Sequence, residues 1–101
     1  MQLVPLWPLL DMSRELRKQG IHVAHGAYNM NSRVHIKAAI DVAQTLNAPL
    51  IAQGSEGANG WYSGRPDFRN ATLEEKMEGA RRISADVAAC AKEASVPIVL
   101  H

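Results

Sequence analysis

Apolar positions recur along this chain with two periods, and each period predicts its own kind of element. Leu6, Leu9, Leu10 and Leu16 gather on one side of a helical wheel, which predicts a short amphipathic helix over 6–19. Arg17 and Lys18 suit the negative end of that helix, and Gly20 is a natural residue just past it. The stretch from Ile21 to Asn29 then reads as a strand. Over 31–46, Val34, Ala38, Val42 and Leu46 recur every four residues, while Ile36, Ile40 and Ala43 widen the same face. That pattern predicts a second helix, which Asn47 and Pro49 stop.

The run 48–52 (Ala48-Pro49-Leu50-Ile51-Ala52) is short and almost wholly apolar, as strands covered on both faces are. Residues 55–71 are rich in Gly, Asn, Ser and Pro and read as a loop. Thr72 and Glu75 have the spacing of a capping box and open a third helix. Its expected buried stripe is Leu73, Met77, Ala80, Ser84, Val87, Ala91 and Ala94. Gly79 lies inside it at a cost of ~1 kcal/mol relative to alanine. The last run, Val96-Pro97-Ile98-Val99-Leu100-His101, repeats the small-residue-then-proline opening of 48–52. A missing N–H is tolerated at such strand starts.

Helix, strand, helix, strand, helix, strand is the order that right-handed crossovers and parallel strands require. It leaves two architectures, a doubly wound open sheet or a barrel with its helices outside. Three strands and two crossover helices cover one face of such a sheet, whereas a full barrel takes about 250 residues. The run that ends at His101 closes with neither turn nor polar tail. The expectation is therefore an α/β chain whose single domain, 1–101, is truncated after its third strand.

Composition narrows the function classes. Hydrophobic residues make up 47% and charged residues 21% of the 101, the balance of a folded globular domain. A net charge of +1 with no basic stripe argues against a nucleic-acid partner. No apolar run approaches the ~20 residues of a membrane helix, so no membrane partner is expected. The apolar start carries neither a basic region nor a small-residue cleavage site, so no signal peptide is expected. The one cysteine, Cys90, falls in a helical apolar pattern and is expected as a small core residue. A single thiol with no possible internal disulfide suits the cytoplasm.

Candidate chemistry follows from topology, because parallel sheets bind ligands beyond the C-terminal ends of their strands. Three places qualify: the end at Tyr28-Asn29-Met30-Asn31, the turn Gln53-Gly54-Ser55-Glu56-Gly57-Ala58, and His101. Asn29 can donate to and accept from a polyhydroxy substrate, or it simply ends a strand and opens a turn. Ser55 between glycines suits a phosphate or carbonyl oxygen, and turn chemistry explains it equally. Trp61, Tyr62 and Phe68 hold three of the five aromatic residues in the 55–71 loop, as a pocket wall or as the loop's own packing. His22 and His25 lie three apart in the expected strand, on opposite faces, and cannot share a metal. His35, near a helix start, is expected to be solvated.

Taken together, Gly26-Ala27-Tyr28-Asn29, the turn Gln53-x-Ser55-x-Gly57 and the strand Val96-Pro97-Ile98-Val99-Leu100-His101 resemble, in order and spacing, the class II (metal-dependent) ketose-bisphosphate aldolases. The resemblance spans nearly the whole chain. It implies the N-terminal βαβαβ part of a (β/α)8 TIM barrel, preceded by a short helix. The implied activity is reversible cleavage of a ketose 1,6-bisphosphate, of the fructose or tagatose type, to dihydroxyacetone phosphate and an aldehyde phosphate. A divalent metal, usually zinc, polarises the ketone in that chemistry. In the family the third strand continues Leu-His-x-Asp-His; the aspartate protonates the aldehyde oxygen and the second histidine binds zinc. Period-two alternation sets that aspartate on the same face as His101.

By the same resemblance, Asn29 and Ser55 match substrate-binding positions and His101 a supporting one. The catalytic aspartate and zinc ligands fall outside the chain, so no catalytic or metal residue is assigned and the 101 residues alone are expected to be inactive. The implied partners are a small-molecule sugar phosphate and further copies in a dimer or tetramer. Two alternatives stay open: a non-catalytic βα module that self-associates to cover its inner face, and another barrel enzyme acting on sugar phosphates without metal.

Overall fold

Ser32 and Thr72 start the two long helices by the same device. In the computed structural model, which describes residues 3–101, the Ser32 hydroxyl accepts from the His35 amide at 3.1 Å and opens helix α2 (Arg33–Thr45). Thr72 and Glu75 form the expected capping box at the start of helix α4 (Leu73–Ala91). Each reciprocal bond satisfies an N–H that the first turn would leave unpaired. Helix α1 (Trp7–Lys18) stops where Gly20 takes the left-handed conformation. Asn47 does the same after α2, a conformation that asparagine tolerates better than most side chains.

Between these helices run strands β1 (Ala27–Asn29), β2 (Leu50–Gln53) and β3 (Ile98–Leu100), all parallel and adjacent in sequence order. The register sets Ile51 opposite both Ala27 and Val99. Alternation then divides the side chains. Leu50, Ala52 and Ile98 join Ile36, Ile40, Ile83, Val87 and Ala91 in the main core under α2 and α4. Ile51 and Val99 point the other way and meet Leu9 of α1, with Val4 and Leu6 beside it. The sheet face opposite the crossover helices, expected to need further strands, is thus partly closed by the first helix. Val4 donates its N–H to the Ile98 carbonyl at 2.9 Å on the edge of β3 turned away from β2.

Several sequence expectations are corrected. The first strand covers only its last three residues. The Ile51 N–H reaches back to Gly26, but Pro49 has no N–H with which to extend the ladder further. In α2 the buried residues are Ile36, Ile40 and Ala43, while Val34 and Leu46 are 78% and 70% exposed. Steps of four drift about 40° each around a helix, so a pure i+4 series spirals off the face that a 4–3 alternation holds. The lower part of the stripe is buried as expected, at Val87 and Ala91 of α4 and at Ala94 just past its end. Its upper part is not: Leu73 is 73% exposed, and Gly79 and Ile83 are the buried positions.

Residues 55–71 are not a plain loop. They contain helix α3 (Glu56–Tyr62) and a 3-10 turn (Phe68–Asn70). Glycine content concealed that helix, and the glycines are what let it pack. A side chain at Gly79 of α4 would collide with the Asn59 backbone carbonyl of α3, so the two helix backbones touch there. Gly79→Ala is therefore expected to destabilise the fold by about 1–3 kcal/mol, as overpacking does, although alanine is the better helix former. A lowered urea midpoint at unchanged slope checks this; a raised midpoint contradicts it.

Candidate functional site

Because the strands are parallel, their C-terminal ends emerge on one edge. The backbone ladder continues to that edge: Met30 donates to Gln53 at 2.8 Å, His101 to Ala52 at 2.9 Å and Gly54 to His101 at 3.0 Å. Register aligns Asn29 with Gln53, and one step beyond Ala52 and Leu100 aligns Gln53 with His101. Each lies two residues past Ala27, Ile51 or Val99, so all three share the face of Ile51 and Val99. In a barrel with its helices outside, that face would be the interior.

The three side chains form one hydrogen-bonded row. The Gln53 amide nitrogen donates to Asn29 Oδ1 at 2.9 Å, and Gln53 Oε1 meets His101 Nδ1 at 3.0 Å. Asn29 and His101 are exposed, whereas Met30, directly after Asn29, is completely buried and anchors the turn. The structure thus brings Asn29 and His101 together through a residue the sequence reading did not single out. In the sequence Gln53 is only the first residue of a turn motif. Its signal was its place as the last residue of a buried strand.

Ser55 sits two residues beyond Gln53, at the start of α3. Its hydroxyl oxygen accepts from the Ala58 amide at 3.1 Å, which leaves the hydroxyl proton free to donate. Ser55→Ala removes this cap, and such losses cost about 1 kcal/mol. Faster amide exchange at Ala58, with α4 unaffected, is the expected result.

The aromatic residues of the 55–71 segment pack within it and onto α4. Trp61 meets Phe68 edge-on with ring centroids 6.1 Å apart, and the Arg69 guanidinium lies 5.4 Å from the Phe68 ring. Tyr62 donates a short hydrogen bond to Asp86, which also pairs with Arg33 at 3.4 Å, tying α2, α3 and α4 together. Burial first, and then the Asp86 acceptor, push the phenol well above its usual range. At the other end of the segment Glu75 binds Arg65 at 2.8 Å. The Thr72 backbone N–H and that guanidinium hold its carboxyl below the usual range.

The remaining histidines lie outside the row. His25 Nε2 contacts the Ser13 hydroxyl at 2.7 Å, but that hydroxyl donates to the Leu9 carbonyl at 3.0 Å. With the Ser13 proton so committed, His25 is the donor, and the pair latches α1 to the segment leading into β1 and is not a nucleophile with its base. His35 is half-buried and bonded to Asn31 at 3.0 Å, where a solvated ring was expected. Cys90 is half-buried against the main core. Among the described residues no three His, Cys, Asp or Glu side chains converge as a metal site would need. No helix among them is long and apolar enough to cross a membrane.

Comparison with known proteins gives this rim a context. The sequence profile of the family described as fructose-bisphosphate aldolase class-II matches residues 9–101. A fructose-bisphosphate aldolase from Thermus caldophilus is 29% identical over 92 residues, which is 91% of this chain and 24% of that protein. Fructose-bisphosphate aldolase 1 of Paracoccidioides lutzii is also 29% identical, over 74% of this chain and 21% of its own length. Among solved structures, fructose-bisphosphate aldolase from Campylobacter jejuni superposes with a TM-score of 0.76 at 26% identity. That alignment takes in 99% of this chain and 27% of the Campylobacter chain. The chain therefore spans about a quarter of the length of the relatives it matches.

Proposed function

This chain belongs to the class II fructose-bisphosphate aldolase family, and from that membership we propose that it supplies the first three strands of an enzyme that reversibly cleaves a ketose 1,6-bisphosphate. The products are dihydroxyacetone phosphate and an aldehyde phosphate. The observation that carries the reading is the row Asn29–Gln53–His101 across three parallel strand ends. It lies where sheet enzymes bind substrate, and its members come from three separate motifs.

In this reading Asn29 and Ser55 bind the ketose-phosphate end of the substrate, Asn29 by its amide and Ser55 by its hydroxyl proton. His101 supports the rim through Gln53. The described residues do not fit a metal site, since no three ligating side chains meet, so the divalent ion that polarises the ketone in class II enzymes is assigned to residues outside this chain. These 101 residues by themselves neither cleave a ketose bisphosphate nor bind zinc tightly. In the complete enzyme they take part in a dimer or tetramer.

A second reading, self-association of the chain as a non-catalytic module, has one observation in its favour. Val23, Tyr28, Val42 and Leu46 are exposed near the outer edge of β1 and line an apolar groove of about 580 Å³ with Met12, Ala38 and Pro49. A closing strand and helix of the same barrel would cover that surface equally well.

The test compares the 101-residue chain with the full-length polypeptide in release of triose phosphate from fructose and tagatose 1,6-bisphosphates, with and without chelator. Cleavage confined to the longer polypeptide and abolished by chelation is expected. Cleavage by the short chain, or cleavage untouched by chelator, refutes the proposal. A soluble, cooperatively melting oligomer of the short chain, with no activity in the longer one, selects the second reading.

A further inference from the structure

The hydrogen-bonded row has a direction, and the direction assigns the protons. A carboxamide oxygen carries no hydrogen, so the 3.0 Å contact between Gln53 Oε1 and His101 Nδ1 requires the proton on Nδ1. The same amide uses its nitrogen on Asn29 Oδ1 at 2.9 Å. Asn29 Oδ1 is thereby occupied as an acceptor, which leaves the Nδ2 hydrogens of this exposed side chain as its donors. In the neutral imidazole only one nitrogen is protonated, so His101 Nε2 is left with its lone pair.

We infer that Gln53 is a positioning residue that fixes His101 as the Nδ1–H tautomer and Asn29 as a donor, giving the rim an N–H pair at the end of β1 and a proton acceptor at the end of β3. The backbone holds the device in place. Gln53 is half-buried, in register with both partners, and its carbonyl accepts from Met30, whose side chain is fully buried. Two adjacent strands each present one partner, so rotation of any single side chain breaks the row.

The consequence is a ligand polarity. A bound molecule places an oxygen lone pair, from a carbonyl, a hydroxyl or a phosphate, at Asn29, and an O–H at His101. Under the aldolase reading, on which this assignment of ligand groups rests, a polyhydroxy ketose phosphate supplies both. The proton assignment itself is a property of the chain and stands apart from that reading.

The test is long-range ¹H–¹⁵N correlation of the histidine rings in the full-length polypeptide, at a pH about two units above the ordinary histidine pKa of ~6.5. His101→Gln identifies the His101 signals. The wild type is expected to show a pyrrole-like Nδ1 and a pyridine-like Nε2. Gln53→Met, which fills the space without an acceptor, is expected to invert the two, as solvated imidazole prefers. Gln53→Glu, whose carboxylate accepts from both neighbours, is expected to restore the wild-type pattern. Unchanged amide shifts of Ala52 and Leu100 establish that the sheet is intact in each variant.

A wild-type ring protonated on Nε2 would mean that the row runs from Asn29 towards His101, and would overturn the inference. So would a Gln53→Met spectrum identical to wild type, since a residue that merely fills space leaves the tautomer alone. An enzyme without aldol activity but with His101 protonated on Nδ1 would sink the function and spare this assignment. An active enzyme with the opposite tautomer would do the reverse.

Discussion

Under the proposed aldolase reading, alanine in place of Asn29 is expected to lower kcat/KM of the full-length polypeptide for fructose 1,6-bisphosphate about 100-fold, the order of loss when one preorganised donor leaves a site. The loss follows from how Asn29 is held. Its Oδ1 is taken by the Gln53 amide, so the exposed side chain offers its Nδ2 hydrogens as donors before any ligand arrives. Water must reorganise to offer the same donors, whereas the strand end does not. Folding should be spared, because Asn29 is exposed and its place in the sheet is set by main-chain pairing with Gln53. Asn29→Asp, similar in size but without donors, should not recover the rate. Wild-type kcat/KM in Asn29→Ala would remove Asn29 from the substrate site.

Ile98→Ala should be the most damaging of the substitutions named here for the fold, at about 2–5 kcal/mol for a buried isoleucine cut to a methyl. Ile98 has no solvent exposure and belongs to the core shared by α2, β2 and α4. Typical domains have a total stability of about 5–15 kcal/mol, so the loss is a large share of the whole. It should appear as a fall in the urea midpoint or as outright unfolding in circular dichroism. Val34→Ala is the matched control. Its side chain is 78% exposed, and exposed substitutions usually stay within about 0.5 kcal/mol. Equal effects from the two would mean that the sheet and helices pack differently.

How much of this was legible beforehand depended on the range of the interactions involved. Capping by Ser32 was not anticipated, but the Thr72–Glu75 box and the stops at Gly20 and Asn47 were, because each acts within one helical turn. The buried strands at 50–53 and 98–100 were legible because parallel strands covered on both faces leave an unbroken apolar run. The class of fold then followed from element order. What stayed hidden was tertiary. Val34, Val42 and Leu46 look like core until Ile36, Ile40 and Ala43 claim the inner side of α2, leaving the first set facing outward. Helix α3 is poor in intrinsic propensity, with two glycines in seven residues, and is stabilised by close backbone contact at Gly79 and the tie from Tyr62 to Asp86.

The rim divides in the same way. Asn29, Ser55 and His101 were legible as strand-end residues, since topology alone marks that edge. Gln53 was not, because its role exists only once three strands are in register. Ser55 proved to have a structural task as well, as the cap of α3. The two uses are compatible, since the cap occupies a lone pair and leaves the proton.

The most direct test of the central claim is where a ketose bisphosphate touches the full-length protein. Titration with fructose 1,6-bisphosphate should shift the Asn29 side-chain amide and the signals of Ser55 and His101 together, with one common affinity. Shifts confined to other surfaces, such as the groove between α2 and α4 lined by Arg33, Lys37 and Glu93, with the three strand ends silent, would contradict the account.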